Sequence, residues 1–189
     1  MVQKGSDIQR LDKTSILKIC SAQVVIDLKS AVKELVENSL DAGSTTIGKC
    51  ALKRLWLTLL FFFSDIKFMG CGLNGFEVTD NGKGIKEEDF EIIAKRGTTS
   101  KIREFEDIYS VKSLGFRGEA LSSLCNIANV SILTKRAQDE TGWCLKFDHM
   151  GTLISQEKVS KKNGTQVIVK GLFHDLPVRY TDFKKTHKS

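Results

Sequence analysis

The chain of 189 residues is 41% hydrophobic and 28% charged, a balance typical of one soluble globular domain with a sizeable core. Its net charge of +6 favours an acidic partner, such as nucleic acid or a phosphorylated ligand. The five cysteines form no C-x-x-C pair, so neither a zinc site nor a disulfide framework is indicated, and a reduced intracellular protein without a signal peptide is expected.

After a short helix at 15–20, the sequence predicts a second helix over 28–41, capped by Asp27 or Ser30. One side of this helix is apolar. Glu34, Asn38 and Asp41 share another stripe, because their spacing is i, i+4 and i+7. The stripe is either a solvated surface or a face that contacts a ligand.

Strands are predicted at 65–69 and 75–79, and the second leads into the loop D-N-G-K-G. This loop needs a positive φ at Gly82 or Gly84. Taken alone, D-N-G is compatible with an ordinary turn. As a ligand site, the carboxylate of Asp80 can accept a hydrogen bond from an exocyclic amine such as that of adenine.

A helix is predicted at 87–94, followed by two glycine-containing segments, R-G-T-T-S-K at 96–101 and G-F-R-G-E-A-L at 115–121. The second segment precedes a predicted helix at 118–126, whose first N–H groups can bind an anion. Neither segment is a Walker A loop. Each alone is equally compatible with a glycine-rich surface loop.

The remaining predicted elements are strands at 128–135, 143–148 and 165–170, and a terminal helix near 179–186. The last strand follows N-G-T. The hydroxyl of Thr165 either faces a ligand or belongs to a plain hairpin strand.

Taken in order, E-L-x-x-N-S-x-D-A, D-N-G-x-G-I, T-T-S-K, G-F-R-G-E-A-L and G-T resemble the GHKL ATPase module. Gyrase-type topoisomerases, the Hsp90 chaperone, sensor histidine kinases and MutL share this module. The amino-acid sequences of these motifs are most similar to those of MutL-type DNA mismatch-repair proteins of the eukaryotic post-meiotic-segregation type. The resemblance implies an α+β fold: a Bergerat-type two-layer α/β sandwich with helices on one face of a mixed, mostly antiparallel sheet. Residues 1–189 would form its N-terminal ATP-binding domain.

The resemblance also implies roles for individual residues. Glu34 would be the general base for hydrolysis of ATP, and Asn38 would hold Mg2+. The other nucleotide-binding residues would be Asp41, Asp80, Gly82, Gly84, Thr99, Ser100, Lys101, Gly115, Phe116, Arg117, Gly118, Glu119, Ala120, Leu121 and Thr165. Arg179, Lys184 and Lys185 are weaker candidates for DNA contact, since a solvated basic surface explains them equally well.

The function that the resemblance implies is ATP binding and slow ATP hydrolysis in the nucleus, with nucleotide driving association of N-terminal domains and repair signalling. A second MutL homologue in a MutL-alpha-type heterodimer, a MutS-type mismatch-recognition complex and DNA without sequence preference are the expected partners, and no membrane is expected. The transducer domain with its phosphate-contacting lysine, and the C-terminal dimerisation and endonuclease region, are expected to be absent. The alternative is therefore a catalytically incompetent truncated module of the same fold, which binds nucleotide, DNA or a partner.

Residues 48–64 depart from the family pattern, because the strand expected after Ile47 resumes only at Asp65. Their densest apolar part, Leu55–Phe63, is too short for a membrane span of roughly 20 residues. The segment is either an insertion or an in-frame retained intron, since its ends can be encoded by splice-donor and splice-acceptor sequences.

Overall fold

A computed structural model describes residues 10–45, 65–98 and 118–187. Within these stretches the helices are α1 (Lys13–Val24), α2 (Leu28–Asp41), α3 (Ala120–Ile127) and α4 (Pro177–His187). The strands are β1 (Asp65–Met69), β2 (Gly75–Thr79), β3 (Asn129–Lys135), β4 (Gly142–Phe147), β5 (Leu153–Val159) and β6 (Gly164–Lys170).

The six strands form one sheet in the order β1-β2-β6-β3-β4-β5. Each neighbouring pair in this sheet is antiparallel. The predicted α+β fold with a mostly antiparallel sheet is therefore confirmed. No parallel pair occurs among these six strands, so the described part of the sheet is not mixed.

Helix α2 is stabilised by side-chain caps at its N-terminus and by an apolar face. The Asp27 carboxylate accepts a hydrogen bond from Ser30 N at 2.7 Å, and Ser30 Oγ accepts one from Asp27 N at 2.9 Å. Both predicted caps thus act together in a capping box. Ala31, Val32 and Leu35 are buried on the face of α2 that meets the core.

Below the helices, alternate residues of the central strands complete the core. Phe76 and Val78 of β2, Ile132 of β3 and Val169 of β6 are almost fully buried. This period of two is expected for a sheet that has one face covered by helices. The two-layer arrangement places the C-terminal half of α2 beside the loop that follows β2.

One predicted element was wrong, and one strand was missed. Residues 87–94 form a short 3-10 helix at Glu87–Asp89 followed by turns. Most backbone hydrogen bonds here join residues three apart, such as Lys95 N to Ile92 O, as in turns and 3-10 helices. Thr98 Oγ1 also donates to the carbonyl oxygens of Ile92 and Lys95. Strand β5 was missed. It is an edge strand in which Gln156, Glu157 and Lys158 are all exposed, so its sequence lacks a clear alternation.

The expected insertion at 48–64 lies outside the described residues, and its origin stays a prediction. Strand β1 begins immediately after it, and Asp65 pairs with Thr79 at the end of β2. The segment therefore precedes the strand that pairs with β2. Within the described residues, no helix has the length and apolar character needed to cross a bilayer.

Candidate functional site

A cavity of about 750 Å3 opens between α2, the loop after β2, the start of α3 and strand β6. This volume is in the range typical of small-molecule sites. The cavity brings together ten of the predicted site residues, and they come from four separate parts of the chain. They are Glu34, Asn38, Asp41, Asp80, Gly84, Gly118, Glu119, Ala120, Leu121 and Thr165.

The carboxylate of Asp80 accepts three hydrogen bonds from the protein. Its Oδ1 accepts hydrogen bonds from Gly82 N at 2.8 Å and from Thr165 N at 3.1 Å, and its Oδ2 accepts one from Ser39 Oγ at 3.1 Å. A carboxylate has about four lone-pair positions. One position on Oδ2 is therefore left for a donor that enters the cavity.

Burial raises the pKa of the Asp80 carboxyl, and its three hydrogen bonds and the charge of Lys161 oppose that rise. Burial also lowers the pKa of the Lys161 ammonium group, against the attraction of Asp80. Both ionic forms are thus disfavoured by partial removal from water. A partly buried carboxylate in a cleft is a good candidate for ligand recognition.

The D-N-G-K-G loop packs tightly against the end of α2, and its two glycines are required for different reasons. Gly84 has φ +72°, so the predicted positive φ lies there and not at Gly82. A Cβ on Gly82 would lie 2.8 Å from the Cβ of Ala42, and Lys83 N donates to Ala42 O at 3.1 Å. Gly82 therefore supports the loop against the end of α2, and it is not among the residues that line the cavity.

Helix α2 contributes the predicted polar stripe. Glu34, Asn38 and Asp41 all line the cavity, so the stripe is not simply a solvated surface. Glu37 also lines it and pairs with Lys33 Nζ at 2.6 Å. This hydrogen bond raises the pKa of the Lys33 ammonium group, and the charges of Glu37 and Glu34 add to the effect.

The cavity lining is acidic overall. Five carboxylate side chains line it, against the three cationic side chains Lys33, Lys83 and Arg96. An acidic pocket with an amide oxygen suits a hard divalent cation. In the described residues, no three or more His, Cys, Asp or Glu side chains are arranged so that they could hold a metal ion by themselves, so such a cation would need oxygen atoms from a bound ligand as well.

The opposite wall is the start of α3. Gly118 has φ +61°, which places it before the helix, so α3 begins at Ala120 and not at the predicted position 118. The first N–H groups of an α-helix have no acceptor within the helix. Here Gly118–Leu121 line the cavity at the start of α3, which makes this wall suitable for an anion.

Comparison with known proteins decides the family. Residues 26–176 match the family of histidine kinase-, DNA gyrase B- and HSP90-like ATPases. The chain belongs to this ATPase family.

The relatives of this ATPase domain are of the MutL type, as the motifs predicted. It is 44% identical over 181 residues to the human mismatch repair endonuclease PMS2, covering 96% of this chain and 19% of that protein. It is 43% identical over 185 residues to the DNA mismatch repair protein pms1 of Schizosaccharomyces pombe, covering 97% of this chain and 21% of that protein. The chain thus spans about a fifth of the length of these curated relatives.

Solved structures agree with this assignment. The N-terminal domain of a DNA repair protein has a TM-score of 0.71 and 39% identity, covering 92% of this chain and 44% of that one. The ATPase domain of the mismatch repair endonuclease MutL of Aquifex aeolicus has a TM-score of 0.50 and 25% identity, covering 84% of this chain and 45% of that one. The GHKL fold and the MutL-type resemblance are therefore confirmed.

Nine other predicted residues remain, six of the nucleotide site and three for DNA contact. Thr99, Ser100, Lys101, Gly115, Phe116 and Arg117 lie outside the described residues. The three candidates for DNA contact all have partners on the protein. Arg179 donates to the carbonyls of Val25 and Ile26, Lys184 lies over the ring of Tyr180, and Lys185 pairs with Asp182.

Sequence reasoning missed several side chains that shape the site. Ser39 donates to Asp80 and also lies 3.1 Å from Leu35 O. Thr134 Oγ1 lies 3.2 Å from Thr165 Oγ1 and accepts from Ile85 N at 2.9 Å. Ser39 was recognisable, since it lies between Asn38 and Asp41 at the end of α2. Nothing local in the sequence pointed to Thr134.

Proposed function

We propose that this domain binds Mg2+-ATP and hydrolyses it slowly as part of a MutL-type mismatch-repair protein. The observation that carries the proposal is the Asp80 carboxylate, which has one acceptor position left in a cavity that Glu34 and Asn38 also line. A partly buried acceptor of this kind suits the exocyclic amine of adenine.

The base would lie at the end of the cavity formed by β6 and the D-N-G-K-G loop. Asp80 would accept the hydrogen bond from the adenine amine, and Thr165 would support the same end. Ser39, Gly82 and Thr165 hold the carboxylate in one orientation by their three donors. Recognition of the base then needs little rearrangement of the protein.

The phosphates would extend toward α3, where Gly118–Leu121 line the cavity. Glu34 lies five residues before Ser39 on α2, which is about 7.5 Å along the helix axis. This offset separates Glu34 from the adenine contact and brings it toward the phosphate end.

The side-chain oxygen of Asn38 fits a ligand of Mg2+, because Mg2+ takes one or two protein oxygens together with phosphate oxygens and water. When bound, Mg2+ offsets the negative charge of the phosphates. The acidic lining explains why a metal ion would be needed, because five carboxylates would repel the phosphates of a nucleotide without one.

For hydrolysis, Glu34 would orient a water molecule and accept its proton as the water oxygen attacks the γ-phosphorus. The bond from the γ-phosphorus to the β,γ-bridging oxygen breaks, and ADP and phosphate are released. Asp41 lines the cavity near the end of α2, and its contribution would be to the nucleotide site and not to proton transfer.

The role of the whole protein is a wider proposal that rests on the relatives. Those relatives are called mismatch repair proteins and endonucleases. We propose the same process for this chain, in the nucleus, with a second MutL homologue, a MutS-type complex and DNA as partners. Nucleotide binding would drive association of two N-terminal domains.

The test is isothermal titration calorimetry with ATP and adenosine, with Mg2+ and with a chelator, on this chain and on a version lacking Gly48–Ser64. Binding of both ligands, with only ATP binding dependent on Mg2+, supports the proposal. Binding by the shortened chain alone would mean that residues 48–64 disable the site. Absence of binding by both versions refutes the proposal.

A turnover assay separates hydrolysis from binding. Glu34→Ala should keep Mg2+-ATP affinity and lose about 100-fold or more in hydrolysis rate, since general-base catalysis contributes on that order. Equal turnover by the wild type and Glu34→Ala would favour the alternative of a binding module without catalysis.

A further inference from the structure

One ion pair of the cavity has no role in the function proposed above. Arg96 Nη2 and Nε lie 3.1 and 3.2 Å from the same oxygen, Oε1 of Glu119. Arg96 follows the turns after Glu87–Asp89, and Glu119 directly precedes α3. Both side chains line the cavity together with Glu34 and Asn38.

The pair leaves most of the guanidinium available to a ligand. An arginine carries five N–H donors, and within the described residues Arg96 uses two of them, both on one oxygen of Glu119. Its side chain is 55% exposed, whereas that of Glu119 is 25% exposed. An exposed ion pair of this kind is weak, so exchange of its partner costs little.

The position of Arg96 fits a phosphate. Of the three cations that line the cavity, Lys33 is engaged with Glu37, and Lys83 belongs to the D-N-G-K-G loop at the base end. Arg96 alone among them pairs with the residue that directly precedes α3, where Gly118–Leu121 line the cavity. A guanidinium and free helix N–H groups together form a recognised arrangement for phosphate oxygens.

We propose that Arg96 is the side chain that recognises the polyphosphate of the nucleotide, and that Glu119 holds it in place until the phosphates replace the carboxylate. This inference rests on the proposed ATP site, because it assigns the ligand of Arg96 within that cavity. Glu119 is then a positioning residue. Its carboxylate competes with the phosphates for the guanidinium of Arg96 and donates no hydrogen bond to the ligand.

The inference predicts opposite effects for the two partners. Arg96→Ala removes charge-assisted hydrogen bonds to phosphate, so Mg2+-ATP affinity falls about 10- to 100-fold while adenosine affinity stays unchanged. Glu119→Gln removes the competing charge, so Mg2+-ATP affinity rises about two- to five-fold. A merely structural ion pair would make both substitutions weaken binding together.

The experiment is calorimetry with Mg2+-ATP and adenosine on the wild type, Arg96→Ala, Glu119→Gln and the control Arg136→Ala. Arg136 pairs with Asp139 and does not line the cavity, so its substitution removes the same charge elsewhere. Thermal unfolding checks each variant. If Arg96→Ala does not fold, Arg96→Gln takes its place, because it keeps a neutral donor toward Glu119.

We expect the ratio of ATP affinity to adenosine affinity, relative to wild type, to fall for the Arg96 variant and to rise for Glu119→Gln. A ratio equal to that of Arg136→Ala overturns the inference while leaving the proposed function intact. A loss of ATP affinity in Glu119→Gln also overturns it. A wild type that binds neither ligand refutes the proposed function, and the inference with it.

Discussion

Replacing Asp80 by asparagine should separate recognition of the base from stability of the fold. The amide oxygen can accept the same hydrogen bonds from Gly82 N and Thr165 N that Oδ1 accepts at 2.8 and 3.1 Å. The amide nitrogen can donate to Ser39 Oγ, whose proton then goes to Leu35 O at 3.1 Å. Each polar contact is retained in a neutral form, so the free energy of unfolding should change by no more than about 1 kcal/mol.

Binding should respond very differently. In Asp80→Asn the group that faces the remaining position becomes a donor, which cannot accept from the adenine amine. Loss of a hydrogen bond to a charged acceptor costs about 1.5 to 3 kcal/mol. Calorimetry should therefore show adenosine and ATP affinity falling by about 10-fold or more, with equal proportional loss for the two ligands.

The pH dependence of stability provides a second readout. The pKa of Asp80 is raised in the folded state, so between the unfolded value of 3.8 and the folded value the folded chain binds more protons than the unfolded chain. The contribution of Asp80 to stability therefore decreases as pH rises through this window. Asp80→Asn should gain stability relative to wild type as pH rises through this window, as measured by urea unfolding at a series of pH values.

Two results would refute this reasoning. Unchanged adenosine affinity in Asp80→Asn would mean that the base does not contact Asp80. A variant that becomes progressively less stable than wild type between pH 4 and 7 would mean that the folded state favours the charged carboxylate, against the effect of burial.

Two further predictions concern the scaffold. Asp27→Ala removes one half of the capping box of α2 and should lower the free energy of unfolding by about 1 kcal/mol in urea titrations. An unchanged midpoint would show that the cap is not needed once α2 is packed. Burial raises the pKa of the Cys125 thiol to about 12, so at pH 8 iodoacetamide should label exposed Cys71 in the folded chain and Cys125 only after unfolding, as followed by peptide mass mapping. Rapid labelling of Cys125 in the folded chain would contradict its burial.

Much of the fold was predictable because its strongest signals are local. The span of α2 follows from its apolar face and from Asp27 and Ser30, and the bounds of β1 and β2 were predicted correctly. Strand β5 and the turns after Glu87–Asp89 were not predictable in this way. Strand β5 is stabilised by its pairing with β4, which is a tertiary effect. The turns after Glu87–Asp89 are stabilised by the hydroxyl of Thr98, which is a side-chain effect.

The candidate site was predictable in part for the same reason. Glu34, Asn38 and Asp41 share a face that the helical period defines, and they meet Asp80 and Thr165 in one cavity. The Arg96–Glu119 pair spans 23 positions, and the Thr134–Thr165 contact spans 31. Neither can be found from local spacing, because only the folding of the sheet and α3 brings those residues together.

The two ends of the cavity differ in how firmly the fold holds them. Asp80 N donates to Thr165 O at 2.7 Å, and Thr165 N donates back to the Asp80 carboxylate. Thr165 belongs to β6, which is hydrogen-bonded to β2 on one side and to β3 on the other. Amide hydrogens in this central part of the sheet should exchange with solvent among the slowest in the protein. An incoming adenine ring would thus meet groups whose entropy was already lost when the chain folded, whereas the exposed Arg96 side chain would still have to be ordered by its ligand.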